Sequence, residues 1–502
     1  MRTTIFNPLI PGFNPDPSIV RVGEDYFLIT SSFEYLPGLP IYHSTDFETW
    51  EQIGNVAMRA EQLGIYNVPT PLGVFAPTIR HQDGVFYVIV TILGGRGCVI
   101  FTATDPAGDW SDGIVLEGLD GIDPDLAWDE NGTAYVTYSG TVLEENGHKR
   151  PSVLQVKVDV GSGTILDEPR LLWSGTGLKY PEAPHLYQRG DTWYLLIAEG
   201  GTERGHAVSI ARASSPEGPF VGGPSNPFLS ARSTDRPIQN TGHGDLVELP
   251  DGSTGMIVLG MRPLGLAKSF SPLGRETFAT RLEWVDGWPV AEPVTLNPRP
   301  EPITFKDTFT AETLDSGWMA VRRTPGEVTA VENSALVLTA DGETLDGLHP
   351  TFLGRRQTTL TASASIEVDV SRGTGGLTVR YDENNHYDLE ATTTDQGVHL
   401  VARARLAGLQ QEWHAELPAG PIIMNVVLTP NREGFSLGDP VERVTFSAAP
   451  AGDAAATVTV AEIDGRYLSA EVVPSFTGRV IGPYSTAGTV TFRDFAYNGT
   501  NA

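Results

Sequence analysis

The sequence predicts an all-β chain in two parts, a five-bladed β-propeller followed by an antiparallel β-sandwich. Three observations carry this expectation. A turn followed by an aromatic-rich strand recurs along the first 300 or so residues, amphipathic helical periodicity is scarce, and the repeat stops at a proline-rich hinge. A chain of 502 residues also exceeds what one hydrophobic core usually supports.

Taken in order, the repeated unit reads Gly23-Glu24-Asp25-Tyr26-Phe27-Leu28-Ile29, Asp83-Gly84-Val85-Phe86-Tyr87-Val88, Asn131-Gly132-Thr133-Ala134-Tyr135-Val136, Gly190-Asp191-Thr192-Trp193-Tyr194-Leu195 and, without the aromatic, Asp251-Gly252-Ser253-Thr254-Gly255-Met256-Ile257. The copies lie roughly 50 to 60 residues apart, room for about four strands each, which is the size of a propeller blade. Several copies continue into a Ser/Ala-rich strand, an Asp or Pro turn and an aromatic, as in His43-Ser44-Thr45-Asp46-Phe47-Glu48-Thr49-Trp50. The hinge Asn297-Pro298-Arg299-Pro300-Glu301-Pro302 then places the boundary, with the propeller over 1–302 and the sandwich over 303–502. Beyond it, alternating stretches such as Thr359 to Val368 and Gly376 to Tyr381 read as antiparallel strands.

The net charge of −28 and the lack of Lys/Arg-rich runs argue against nucleic acid or anionic membrane surfaces as partners. Neutral ligands fit better. The single cysteine, Cys98, allows no internal disulfide and reads as a buried thiol rather than a nucleophile. The start Met1-Arg2-Thr3-Thr4-Ile5-Phe6 shows no secretion signal, and no uncharged apolar run approaches the ~20 residues that span a bilayer. A soluble, cytoplasmic protein is the expectation.

In a propeller the innermost strand of each blade faces the central axis, so equivalent positions share one cavity. About 10 to 12 residues before the repeated aromatic stand Asp16, Phe75-Ala76, Asp123, Glu182, and His243 with Asp245. Three blades put that acid beside a proline: Asn14-Pro15-Asp16-Pro17-Ser18, Gly121-Ile122-Asp123-Pro124-Asp125 and Tyr180-Pro181-Glu182-Ala183-Pro184-His185. Proline fixes its own φ and restricts its predecessor, which helps aim a side chain. Paired carboxyls across a pocket are the equipment of glycoside hydrolysis, and a third acid nearby would raise the pKa of the proton donor. The residues alone leave open which acid plays which part.

These motifs resemble glycoside hydrolase family 43, the β-xylosidase and α-L-arabinofuranosidase group. The resemblance covers nearly the whole chain and includes Gly12 to Ser18, Thr30 to Gly38, Ile122 to Gly132, Glu182 to Tyr187, Leu196 to Thr202, Arg236 to Asp245 and Leu273 to Phe278. The second part resembles the lectin-like, concanavalin A-like jelly roll attached to this family's xylosidases. The resemblance implies an inverting hydrolase that takes xylose from the non-reducing end of β-1,4-xylo-oligosaccharides, with α-L-arabinofuranosidase activity as the alternative. It further implies Asp16 as general base, Glu182 as general acid and Asp123 as the residue that tunes and orients Glu182.

Around the sugar, it implies that Arg275 bonds hydroxyls and Asp16, that Phe33 forms an apolar wall, and that Phe75-Ala76 and Phe476 line the pocket. Phe75 stands where many relatives carry tryptophan. Phe476 lies in the candidate capping loop Ser475-Phe476-Thr477-Gly478-Arg479, which would make the enzyme exo-acting. No cofactor is required, although in some relatives a histidine matching His243 helps hold calcium through water. Acidic two-domain relatives often form dimers or tetramers. Two rivals are a fructan- or sucrose-hydrolysing enzyme, against which the Asn14-Pro15-Asp16-Pro17 order speaks, and a sugar-binding propeller, which would need no ionisable triad.

Overall fold

The computed structural model describes residues 2–311, 313–431 and 439–500, so Met1 and 501–502, at the outer ends of the two expected domains, lie outside the described residues. Five antiparallel sheets follow one another along the chain, as expected of a five-bladed propeller. Their inner strands are Ser18–Val22, Gly73–Gln82, Ile122–Trp128, Glu182–Arg189 and Gln239–Glu248. The repeated aromatic segments form the second strands, Asp25–Ile29, Val85–Leu93, Ala134–Leu143, Thr192–Glu199 and Thr254–Met261. Their apolar residues pack between blades; Val88, Val90, Val99 and Phe101 of the second blade, for example, meet Ile29 and Ile41 of the first. The ring closes through the N-terminus, where Asn7 bridges Asn297 and its side chain donates to the carbonyl of Ala279 at 2.8 Å.

The second part is a β-sandwich built on two long antiparallel strands, Thr361–Asp382 and Val480–Thr500, which run together through both layers. Asn385–Thr394, Gly397–Leu406 and Leu409–Leu417 widen one layer; Ile422–Pro430, Glu442–Pro450 and Val458–Asp464 widen the other. From Thr361 to Val370 burial alternates residue by residue, as a half-buried strand requires, and places Ala362, Ala364, Ile366, Val368 and Val370 in the core. The two stretches read separately in the sequence are halves of this one strand, joined across an irregular register between Asp369 and Arg372.

Propeller and sandwich are tied by buried polar contacts. Arg380, fully buried on a sandwich strand, donates to Glu34 at 2.9 Å and to the Tyr35 hydroxyl at 3.0 Å. Arg322 donates to the carbonyl of Val68 at 2.6 Å and to Thr70 at 2.8 Å. Ala320–Val321 also pairs with Tyr35–Leu36 as a small sheet. Cys98 is buried, and burial pushes its thiol up to about 12. Among the described residues no helix is long and apolar enough to cross a membrane.

Candidate active site

The inner strands do not enter the axis regularly. The register shifts between Val74 and Pro77, Ile122 and Asp125, Glu182 and His185, and twice between Gln239 and Asp245. Such bulges re-aim side chains. Left-handed backbone accompanies three of these shifts and the entry to the first blade: φ is 55° at Asp16, 53° at Asp123, 48° at Ala183 and 49° at His243. Asp and His tolerate this region better than bulky residues do. Prolines and bulges together therefore turn one side chain per blade toward the axis.

The result is a cavity of about 380 Å³ lined by Asp16, Asp123, Glu182, Phe33, Phe75, Ala76, His243, Arg275 and Phe476. The nine residues expected to act on the sugar or line its pocket meet here, whereas Asp245, at the register position of His243, lies outside this lining. Asp16, 4 % exposed, accepts hydrogen bonds from Arg275 Nη1 at 2.6 Å and from the Ser31 hydroxyl at 2.7 Å. These partners fix its orientation. His243 Nδ1 lies 3.6 Å from the same carboxylate, and burial holds this imidazole down at about 4. Asp123 accepts from the backbone N–H of Ala183 at 3.1 Å, which links it to the residue after Glu182. Burial, and then the charge of Asp16, raises the Asp123 carboxyl. Glu182 is pushed well above its ordinary value by burial first, and then by the charges of Asp123 and Asp16.

The walls come from both parts of the chain. Phe33 stacks on Phe476 at 5.7 Å between centroids and meets Phe75 edge-on at 5.4 Å. The loop carrying Phe476 approaches the fifth blade very closely. A Cβ on Gly478 would lie 2.4 Å from the carbonyl oxygen of Leu273, and one on Gly274 would lie 2.5 Å from that of Thr477. Arg275 Nη2 donates to the carbonyl of Phe476 at 3.3 Å, so one arginine joins the loop to Asp16.

Four further lining residues, Tyr180, Thr202, Glu203 and His206, had no role assigned from the sequence. Tyr180 lies on the loop that enters the fourth blade, and Thr202, Glu203 and His206 on the loop between its second and third strands, away from the position that the register argument counts. His206 is buried, and burial lowers its imidazole to about 3. Its ring packs against Gly242, where a Cβ would sit 2.0 Å from Cδ2.

Beneath the acids lies a second polar layer, centred on Arg80. Its guanidinium donates to Asp125 at 2.6 Å and to Asp245 at 3.0 Å, and lies 2.9 Å from His185 Nδ1. Asp245 also accepts from the Ser18 hydroxyl at 2.7 Å and from Tyr187. Although burial opposes it, the charge of Arg80 holds Asp245 well below the usual carboxylate range. Calcium takes about six to eight oxygen ligands. Around His243 the neighbours are the His206 imidazole and an Asp16 already engaged by Arg275, while Arg80 occupies the carboxylates below. Among the described residues no group of three His, Cys, Asp or Glu side chains is arranged to hold a metal ion.

Comparison with known proteins agrees with this geometry. The model of glycosyl hydrolases family 43 matches residues 5–289, and that of the beta xylosidase C-terminal concanavalin A-like domain matches 306–498. The chain is 35 % identical to a non-reducing end alpha-L-arabinofuranosidase of Bacteroides ovatus, over 97 % of this chain and 92 % of that protein. It is 36 % identical to a xylosidase/arabinosidase of Butyrivibrio fibrisolvens, over 76 % and 79 % of the two chains. The solved structure of xylan beta-1,4-xylosidase from Bacillus halodurans superposes with a TM-score of 0.87 at 27 % identity, covering 98 % of this chain and 100 % of that one. With both halves matched in order and a propeller whose axis gathers three carboxyls, the chain belongs to glycosyl hydrolase family 43.

Proposed function

We propose that the chain is an inverting, exo-acting hydrolase that releases xylose from the non-reducing end of β-1,4-xylo-oligosaccharides. The observation that carries this reading is the contrast between two carboxyls in one small pocket. Burial and neighbouring charge raise the Glu182 carboxyl well above its ordinary value, which favours its protonated form, while Asp16 is oriented by Arg275 and Ser31. Glu182 is then the general acid, giving its proton to the glycosidic oxygen as that bond breaks. Asp16 is the general base, taking a proton from a water that attacks the anomeric carbon on the opposite face. After burial, the charge of Asp123 is the next largest cause that raises Glu182, and its carboxylate accepts the Ala183 N–H, which ties it to the Glu182–Ala183 backbone.

Exo action is supported by the pocket's volume of about 380 Å³, at the small end of the ~300 to 1,000 Å³ of ligand sites, and by Phe476 across one wall. Arg275 lines the pocket beside Asp16, where a sugar hydroxyl would lie, and Phe33, Phe75 and Phe476 supply the apolar enclosure. The second reading is release of arabinofuranose. It is favoured by the Bacteroides ovatus relative and by Phe75, a smaller stacking surface than tryptophan. Hydrolysis of xylobiose and of an arabinofuranosyl-substituted xylo-oligosaccharide, by the natural chain and by Asp16→Ala, separates the two. Xylose release lost on substitution supports the first reading, arabinose release alone the second, and no release from either refutes both.

A further inference from the structure

One aromatic at the pocket mouth has no role in the reaction as described above. Tyr180 lines the same cavity as Glu182, two residues away in sequence, yet it is 52 % exposed. Its backbone is left-handed, with φ of 51°, which is uncommon for so bulky a residue. Such a conformation persists only when its surroundings impose it.

Those surroundings are a lip built from the two blade-four loops. Lys179 Nζ lies 5.3 Å from the Tyr180 ring centroid and pairs with Glu203, which lines the cavity as well. The Lys179 carbonyl accepts from Gly200 N–H at 2.7 Å, joining one loop to the other. Gly201, with φ of 72°, lies so close that a Cβ would sit 2.4 Å from Glu203 Oε2 and 3.1 Å from Lys179 Cε. The lip thus presents a fixed, half-exposed ring to the cavity mouth, on the side where Glu182 stands.

We propose that Tyr180 is the platform for the leaving group. The pyranose on the far side of the scissile bond stacks on this ring while Glu182 protonates the bridging oxygen. The inference rests on the reading of Glu182 as general acid. An acid that reaches the glycosidic oxygen has the leaving sugar on its own side of the pocket, and Tyr180 is the exposed aromatic beside it. Phe33, Phe75 and Phe476 enclose the sugar that is released. A tyrosine ring offers a large apolar face with few rotors to freeze, which suits the C–H face of a pyranose. The leaving unit is a xylopyranose whether xylose or arabinofuranose is released, so the platform is compatible with either sugar preference.

The test uses the full chain and two substrates, xylobiose and β-xylosyl fluoride, whose leaving group has no ring to stack. Tyr180→Ala is expected to lower kcat/KM for xylobiose by about three- to tenfold, the worth of one aromatic contact, and to change that for the fluoride by less than about twofold. Tyr180→Phe keeps both. Equal losses on the two substrates, or no loss on xylobiose, overturn the platform. A natural chain that cleaves neither substrate refutes instead the xylosidase reading beneath it.

Discussion

Replacing Arg380 with methionine tests how the sandwich holds the pocket wall. Arg380 is fully buried, and its guanidinium carries an ion pair to Glu34, 1 % exposed, at 2.9 Å, a hydrogen bond to the Tyr35 hydroxyl at 3.0 Å, and a longer contact to Glu383 at 3.5 Å. Methionine fills much of the volume but leaves Glu34 buried without its ion-pair partner, with only the charge of Arg322 still nearby. Removing one partner of a buried pair destabilises by about 3 to 5 kcal/mol. If the sandwich unfolds as a unit of some 200 residues, at about 2 to 4 °C per kcal/mol, the midpoint falls by about 6 to 20 °C.

The loss depends on pH in a definite sense. Burial already raises the Glu34 carboxyl, and without Arg380, which lowers it, the folded-state value climbs further. A group whose folded pKa is raised contributes stability below its unfolded value and loses it as pH rises. The variant's deficit therefore grows from about pH 4 upward and is smallest in acid. Thermal unfolding at pH 5 and pH 8 measures this, and Glu34→Gln added to Arg380→Met is expected to recover part of the deficit at pH 8. A midpoint shift under about 2 °C at pH 8, or a larger deficit at pH 5 than at pH 8, refutes the reasoning.

Three further expectations follow from the same contacts. In Asp123→Asn the alkaline limb of kcat/KM moves to lower pH, because one charge that raises Glu182 is gone; it stops short of an ordinary glutamate because burial, the larger cause, remains. A pH–rate profile decides this, and an unmoved limb contradicts the role of Asp123. Gly478→Ala forces the capping loop off the fifth blade, since its Cβ would meet the Leu273 carbonyl at 2.4 Å, and is expected to raise KM for xylobiose by about tenfold or more. Unchanged KM would separate the loop from the substrate. Dialysis against a chelator, with or without calcium added back, is expected to leave kcat/KM unchanged, because Asp125 and Asp245 are already engaged by the Arg80 guanidinium.

Much of this molecule is legible in its sequence because propeller blades repeat their chemistry. The turn before each second strand, such as Asp83-Gly84 with both φ values positive, marks the hairpin, and counting back from it finds Asp16, Asp123 and Glu182. What the count misses lies away from the counted position. Tyr180, Thr202, Glu203 and His206 sit on two loops of a single blade, and Arg80 follows the register shift between Val74 and Pro77 on its strand. The strand Thr361–Asp382 was divided in the sequence because Ser371-Arg372-Gly373-Thr374 breaks its alternation, which pairing with Val480–Thr500 overrides. Phe476 was found only through family resemblance; its place in the pocket depends on how two separately folded parts of the chain meet.

The central claim is that Asp16 activates water while Glu182 protonates the departing oxygen, in a single displacement. Proton NMR of the first turnovers on an aryl β-xyloside, whose leaving group has no anomeric carbon, tests it most directly, because the anomer of the released xylose is read before mutarotation scrambles it. The account predicts α-xylose first, the inverted product. Initial β-xylose would mean a retaining double displacement and would contradict it.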